Sequence, residues 1–400
     1  MKTMQTIISG SLSVLFVLAG ACAAAQLNGQ QPPLSGIPEN GLPLAQIFDS
    51  RVPDPSVYFQ HHNKVYFIWG AGDPVQPAGI AASKYFPSIR NTDRKRDIEW
   101  YKKNHPDWIV YKADQVTPAY GYIYDYGGLV PLDVSNPAVR EYYLNDFVLP
   151  AVQKGFRIVA MDNVDLGNWP GAAGRFVNGK WQQLYTGTKN DTAFQHQMIS
   201  WIQFLADRLH PLGVHVAANI KANSAKPEVV LRMMHAADIW LDENGFTHTG
   251  RNVTGDAWER QRRFLEAIAP TKGYISINQI KGSMDQADPG QLEWVIANFL
   301  LLRGPQSLLA LTGFEQKAIY QEFHYRPEMD ADIGAPLEQP HRVQQAWIRQ
   351  FRNGMVCVNP SPRDTVTITL PEGNWKSITG PLKQGILQLA PGSGRVLVRK

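Results

Sequence analysis

Two acidic residues stand where apolar, strand-like segments run into loops, and residues of this type in this place can do hydrolytic chemistry. Asp162 ends the segment Gly155–Asp162, and Glu243 follows the segment Ala237–Asp242. Both segments come after amphipathic helical patterns, so each has the place of a strand in a (β/α)₈ barrel. Barrels of this kind carry their catalytic groups at the carboxyl ends of the strands. Two carboxyl groups facing each other there are what glycoside hydrolysis requires.

The alternation of side chains along a strand predicts which of these acids face the same way. Asp162 shares a side with Ile158, and Glu243 shares a side with Leu241. If those sides face the barrel axis, Asp162 and Glu243 meet across the mouth, while Asp242 turns toward the helices. With the opposite alternation, Asp242 would take the place of Glu243. Either acid could instead cap a helix or pair with a nearby arginine.

The neighbours of the two acids suggest different roles for them. Asp162 lies in a polar loop with Asn163 and Asp165, which suits the ionised carboxylate that attacks the sugar. Glu243 has the longer side chain and follows the aromatic Trp240. Apolar surroundings favour the protonated form of a carboxyl group, so we expect Glu243 to act as the general acid and base.

Other polar and aromatic residues at or near the predicted strand ends are expected to bind the sugar, by hydrogen bonding or by stacking. They are Trp69, Lys112, Asp133, Asn163, Asp165, Asn219, Asp242 and Asn278. Asn219 and Asn278 could equally tie loops together, and Lys112 could merely neutralise an acid.

Continuous apolar strands that alternate with helices indicate a parallel sheet covered on both faces, and eight such strands predict closure into an α/β (β/α)₈ TIM barrel over residues 51–348. The eight segments are Lys64–Gly70, Asp107–Lys112, Gly128–Asp133, Gly155–Asp162, Gly213–Asn219, Ala237–Asp242, Gly273–Asn278 and Gln306–Leu311. After Gln350 the pattern changes to short strands, of which Asp364–Leu370 alternates Thr with apolar residues. We therefore expect a small antiparallel β-domain over residues 349–400.

The N-terminus predicts export. Lys2 precedes the apolar stretch Ile7–Gly20, and small residues follow, so residues 1–25 fit a secretory signal peptide that is cleaved after Ala25. Cys22 offers lipidation as an alternative, with a lipid anchor as the only link to a membrane. Residues 26–50, rich in Gln, Pro and Gly, read as a linker. We expect a periplasmic or secreted protein or, if Cys22 is lipidated, a membrane-anchored lipoprotein.

Composition and absent motifs exclude several other classes. The net charge of +4 is scattered, which argues against nucleic-acid binding. No His-x-His pair ends the first strand, and no His-Glu-x-x-His, Gly-x-Ser-x-Gly or P-loop pattern occurs, so no metal and no cofactor is expected. Removal of a signal peptide would leave Cys357 without an intrachain partner, so the fold must rest on its core. A monomer is expected.

Two stretches carry a resemblance to a known family. Pro131–Tyr143 and Gly155–Asp165 resemble hypothetical glycosyl hydrolase family 15 and, more distantly, glycoside hydrolase family 114, the endo-α-1,4-polygalactosaminidases. The likeness runs from about Val65 to Leu311. It implies a barrel with an Asp after strand four and a Glu after strand six, positions that Asp162 and Glu243 match. An Asp nucleophile on strand four is usual in clans that cleave α-linked sugars, so the resemblance favours an α-glycosidic bond.

The sequence thus predicts an exported glycoside hydrolase that acts on a polysaccharide. The alternative is a carbohydrate-binding barrel without activity, tethered at the cell envelope, in which the acids only hydrogen-bond to sugar. A deacetylase or a lyase on the same fold would need a metal cluster or a Lys or His base, and neither stands out.

Overall fold

The structure is a computed structural model, and it describes residues 32–47, 65–77, 79–88, 95–120, 123–124, 127–128, 130–221, 225–314, 326–380, 382 and 385–399. Eight parallel strands close into a barrel in the order of the chain, with helices around it, and antiparallel sheets follow at the C-terminal end. This confirms the predicted TIM barrel with a C-terminal β-domain. The signal peptide and Cys22 lie outside the described residues.

The barrel strands are numbered in chain order. They are β1 Leu44–Ile47, β2 Val65–Trp69, β3 Ala81–Pro87, β4 Ile158–Asp165, β5 His215–Lys221, β6 Ile239–Asp242, β7 Gly273–Lys281 and β8 Ser307–Phe314. The α-helices of the described residues are α1 Ile98–Asn104, α2 Pro137–Tyr143, α3 Leu149–Gln153, α4 Thr192–Leu209, α5 Pro227–Ala236, α6 Gly255–Ile268 and α7 Pro289–Leu302.

The last five predicted strands are β4 to β8, but the first three predictions need correction. The segment predicted as strand one is β2, because Leu44–Ile47, inside the expected linker, forms β1. That strand has only four residues, too few to give a clear period in a Pro- and Gln-rich stretch. Strand β3 was missed because it follows β2 without an intervening helix. The described residues between 70 and 80 form none, so the sequence shows no helical pattern that would separate the two strands.

The segments predicted as strands two and three lie outside the barrel. Tyr111–Lys112 pairs with Ala172–Val177, part of an antiparallel hairpin completed by Lys180–Thr186. Gly127–Gly128 pairs with Ile123–Tyr124. The apolar residues that suggested strands fill a separate small core instead, which consists of Tyr101, Ile109, Tyr111, Val130, Leu132 and Val139.

Two apolar layers show which way the barrel residues face. The interior of the barrel is filled by one cluster, whose members include Phe67, Trp69, Ile158, Ala160, Ala217, Ile239, Leu241, Ile275, Ile277, Leu308 and Ala310. A larger cluster lies between the strands and the helices and holds the alternate residues, such as Val159, Trp240 and Tyr274. The side of β4 that carries Ile158 and the side of β6 that carries Leu241 therefore face the barrel axis.

The C-terminal domain is antiparallel. Its strands are β9 His341–Val343, β10 Ala346–Phe351, β11 Gly354–Asn359, β12 Val366–Thr369, β13 Trp375–Ser377, β14 Ile386–Leu389 and β15 Ser393–Arg399. Strands β9, β10, β11, β15 and β13 form one sheet, and β12 pairs with β14. In β12, Val366 and Ile368 are buried while Thr367 and Thr369 are exposed, as the alternation predicts.

A buried carboxylate joins this domain to the barrel. Glu293 of α7 is fully buried and accepts hydrogen bonds from Ser377 Oγ at 2.6 Å and from the Val396 amide at 2.9 Å. It also pairs with Arg395 at 3.1 Å and bonds to Thr379. Because every partner lies in the C-terminal domain, this cluster fixes α7 on the sheet. No described helix has the length and apolar character to cross a bilayer.

Candidate active site

Asp162 lies on the inner side of β4 near its carboxyl end, and its carboxylate accepts four hydrogen bonds. Tyr85 Oη donates to Oδ2 at 2.7 Å, and Asn163 Nδ2 donates to the same oxygen at 2.9 Å. The Asn163 amide and Asn219 Nδ2 both donate to Oδ1, each at 2.7 Å. The donors come from β3, β4 and β5, three neighbouring strands. They hold a half-buried carboxylate in a single orientation.

A local irregularity in β4 produces this arrangement. Asn163 has a φ of 55°, in the left-handed region that Asn tolerates better than most residues. The pairing of β5 with β4 shifts register at the same place, between Ala218 and Ile220. Ser88, just after β3, fixes the bulge by donating its amide to the Asp162 carbonyl and its hydroxyl to the Asn163 carbonyl, each at 2.9 Å. Such bulges often re-aim side chains beside active sites.

Glu243 lies one residue beyond the end of β6 and is half-buried. It continues the inward alternation of Ile239 and Leu241. Strand β5 lies between β4 and β6, so the two backbones are two inter-strand spacings apart, roughly 9–10 Å. Side chains that reach inward from both strands, Asp162 and Glu243 here, can close part of that distance around a sugar ring.

The rim of β5 adds a second polar group to the site. Lys221 pairs in register with Asp165 of β4, and its Nζ lies 3.4 Å from Asn163 Oδ1. Asn219, beside Asp162, is 2% exposed, and its Oδ1 is buried without a hydrogen-bond partner in the described part of the chain. The structure thus places Asn163 and Asn219 against Asp162, and it places Asp165 further along β4, in register with Lys221 of β5.

Asp242 faces away from the barrel axis, and its prediction as a sugar-binding residue needs correction. Its Oδ2 accepts from Gln261 Nε2 of α6 at 2.8 Å and from Tyr274 Oη at 3.2 Å, and its Oδ1 accepts from the Asn244 amide at 3.0 Å. Burial raises the pKa of Asp242 to about 6, although the hydrogen bonds from Asn244, Tyr274 and Gln261 lower it. This acid ties β6 to α6 and β7.

Four further predicted sugar-binding residues do not join the group around Asp162. Asn278 accepts the Phe246 amide at 2.7 Å and donates to Ser276, so it ties the loop after β6 to β7. Trp69 is 2% exposed and packs inside the barrel.

The other two belong to the outer elements. Asp133 is buried and pairs with Arg175 of the hairpin at 2.5 Å. Lys112 is an exposed residue of the strand that pairs with this hairpin. Both were predicted at strand ends that are not barrel strands.

Tyr85 and Lys221 are site residues that the sequence reasoning missed. Tyr85 could not be placed without β3, although the alternation in Ala81–Pro87 puts it on the inner side. Lys221 lies two residues beyond Asn219, on the same side of β5. Extending the predicted strand by that one repeat would have found it.

Comparisons with known proteins give the class of this barrel. The model of hypothetical glycosyl hydrolase family 15 matches residues 79–355, more than half of the chain. The chain belongs to this family, and it is a glycoside hydrolase whose substrates are carbohydrates. No curated protein matches the sequence.

Solved structures are similar to this chain at low identity and with TM-scores below 0.5. A maltogenic α-amylase from Thermotoga neapolitana is 12% identical with a TM-score of 0.49, and the alignment covers 90% of this chain and 96% of that one. An α-amylase from Geobacillus thermoleovorans is 10% identical with a TM-score of 0.45, covering 90% and 98%. A GH31 α-xylosidase from a soil metagenome is 13% identical with a TM-score of 0.46, covering 91% and 64%.

The buried Asp242 predicts a pH dependence of stability. Between pH 3.8 and about 6 the folded chain keeps a proton on Asp242 that the unfolded chain has lost, so the free energy of unfolding falls as the pH rises through this window. The full effect is about 3 kcal/mol. Asp242→Asn removes this titration, and we expect its stability to fall correspondingly less from about pH 4 to about pH 7 in urea denaturation.

The exposed Asp207 of α4 supplies the control, since Asp207→Asn removes a carboxylate without changing a buried group. Its pH profile should parallel that of the parent. If the Asp242→Asn profile is parallel as well, the buried acid does not titrate in this window.

Proposed function

We propose that the chain is an exported glycoside hydrolase that cleaves a polysaccharide at an α-glycosidic bond, with Asp162 as nucleophile and Glu243 as acid and base. The observation that carries the proposal is the Asp162 carboxylate, held by four donors on the inner side of the barrel at the end where barrel enzymes do their chemistry. Glu243 stands on the far side of β5 and supplies the second carboxyl group.

With Asp162 as nucleophile and Glu243 as acid and base, the proposed reaction has two steps. In the first, an Asp162 oxygen bonds to the anomeric carbon, the glycosidic carbon–oxygen bond breaks, and the Glu243 proton moves to the leaving oxygen. In the second, water attacks the anomeric carbon and gives its proton to Glu243, while the bond to Asp162 breaks. One water molecule is consumed, and the configuration of the sugar is retained.

The neighbours of Asp162 have separate tasks in this scheme. Tyr85 donates to Asp162 Oδ2 through a hydroxyl that can rotate. Its hydrogen bond can therefore break when Oδ2 attacks the anomeric carbon. Asn219 holds Oδ1 with its amide nitrogen, and its side-chain oxygen, which is buried without a partner among the described residues, can accept a hydrogen bond from a sugar hydroxyl. Lys221, whose Nζ lies 3.4 Å from Asn163 Oδ1, is a cation beside the nucleophile that can donate hydrogen bonds to a sugar hydroxyl.

One observation supports the proposed α-linkage. An Asp nucleophile after strand four is the arrangement usual in clans that cleave α-linked sugars, and Asp162 of β4 matches it. The experiment therefore compares the activity on α-linked polysaccharides with the activity on β-linked ones.

We expect Asp162→Asn and Glu243→Gln each to lower the release of reducing ends by about 10³-fold or more, because each removes a group that changes bonding in the transition state. Tyr85→Phe should lower it by about tenfold, the effect of one hydrogen bond to a charged group. The measurement is reducing-end release from a panel of purified α-linked and β-linked bacterial and plant polysaccharides.

Two exposed acids provide matched controls for this experiment. Asp207→Asn and Glu228→Gln make the same chemical changes on α4 and α5 and should keep the parental rate. Release from β-linked polymers alone would contradict the α-linkage. Undiminished polysaccharide binding by every protein, with no release by the parent, would instead favour the carbohydrate-binding barrel.

Export is the second part of the proposal, and it rests on the sequence before residue 32. Lys2, the apolar stretch Ile7–Gly20 and the small residues up to Ala25 support secretion, with lipidation at Cys22 as the alternative. We expect the mature chain to begin at Gln26, or at a lipid-modified Cys22. The mass of the N-terminal peptide of the protein made in a bacterial host tests this, and a chain that keeps Met1 would contradict it.

A further inference from the structure

The opposite end of the barrel carries a group of metal-ligand residue types that the reaction does not use. His210 follows α4, His215 begins β5, and Asp238 directly precedes β6. Asn219 of the active site lies four residues beyond His215 on the same strand, about 13 Å away. Because three separate elements supply these residues, they do not form a recognisable metal-binding motif in the sequence.

The distances within this group approach those of a metal site. His210 Nε2 lies 2.8 Å from Asp238 Oδ2, and His215 Nδ1 lies 3.7 Å from the same oxygen. The candidate ligand atoms all lie within 4.8 Å of one another. Around a tetrahedral zinc ion with bonds of about 2.0–2.1 Å, ligand atoms are roughly 3.3–3.4 Å apart. Shifts of less than about 1 Å would bring Asp238 and each histidine to that spacing.

A second observation points to a ligand. His215 Nδ1 is buried and has no hydrogen-bond partner among the described residues. A buried ring nitrogen without a partner costs free energy, and a bound cation would satisfy it. His215 also lines an open cleft of about 530 Å³, together with Gly155, Arg157 and Gly213, through which an ion can approach.

Neighbouring backbone groups orient the Asp238 carboxylate, and others bind the side chain of Lys272, the nearest cation. The Val216 amide donates to Asp238 Oδ2 at 2.8 Å and fixes that oxygen between the two imidazoles. Lys272 is the nearby positive charge, but its Nζ donates to the carbonyls of His235 and Ala237 at 2.9 and 2.6 Å. Asp238 is thus the anionic member of the group, with an imidazole on either side of its Oδ2.

We propose that His210, His215 and Asp238 bind one divalent transition-metal ion of the zinc type, at a site separate from the active site. Two imidazoles and one carboxylate are ligands that zinc accepts, with water as the fourth. The ion would join the end of α4 to the starts of β5 and β6. Its role is to stabilise the barrel, because the N-terminal end of a barrel contributes stability rather than catalysis.

The experiment is isothermal titration of the full mature chain, stripped of metal with a chelator, with Zn²⁺. We expect one ion per chain and a rise of the melting temperature on loading. His215→Ala should weaken binding at least tenfold. It leaves the contact between His210 and Asp238 in place, so the variant is expected to fold.

Two further variants keep the proposal falsifiable. His210→Gln can still donate to Asp238 but offers no imidazole, so it should also weaken binding at least tenfold. His196→Ala removes an exposed histidine of α4 and should bind like the parent. The absorption spectrum of Co²⁺ bound in place of Zn²⁺ reports imidazole ligation independently of stability. No saturable binding by the parent, or equal affinity in His215→Ala and the parent, would overturn the proposal and leave these residues as a histidine–aspartate ion pair.

Discussion

The Asp162 carboxylate depends on barrel closure more directly than any other group of the site. Two of its hydrogen bonds come from Asn163 on its own strand, while those from Tyr85 of β3 and Asn219 of β5 form only when these strands lie side by side. Its position is therefore a tertiary property, held by Tyr85 and Asn219 from either side. A carboxylate bound in this way stays oriented without substrate, which is the preorganisation that a nucleophile at a sugar carbon needs.

The alternation of side chains divides the acids of this barrel into two groups. Asp162 and Glu243 continue the sides that carry the interior cluster, whereas Asp242 falls on the side that packs against the helices. Neighbouring acids in the sequence thus have different tasks. Asp242 has a raised pKa and holds secondary structure elements together, while Glu243 continues the side of β6 that faces the axis.

The sequence predicted the second half of the barrel well, and with it the strand ends at which Asp162 and Glu243 lie, because β4 to β8 are apolar strands that alternate with helices. The predicted strands were wrong where strands and helices do not alternate. Strand β1 is too short to show a period, and β3 follows β2 without a helical pattern between them. Since Tyr85 lies on β3, the partner of Asp162 was missed with the strand. Lys112 and Asp133 were misplaced because the small outer core has apolar runs as continuous as those of a barrel strand.

In the proposed reaction, Asp162 bonds to the sugar. This is tested by the mass of the peptide that contains Asp162 after incubation with a 5-fluoro glycosyl fluoride of the sugar that the enzyme cleaves. The ring fluorine slows both steps, while the fluoride leaving group keeps the first step fast enough for the glycosyl-enzyme to accumulate. We expect one glycosyl adduct, located on Asp162 and absent from Asp162→Asn. An adduct on another residue, or steady turnover with no adduct at all, would contradict it.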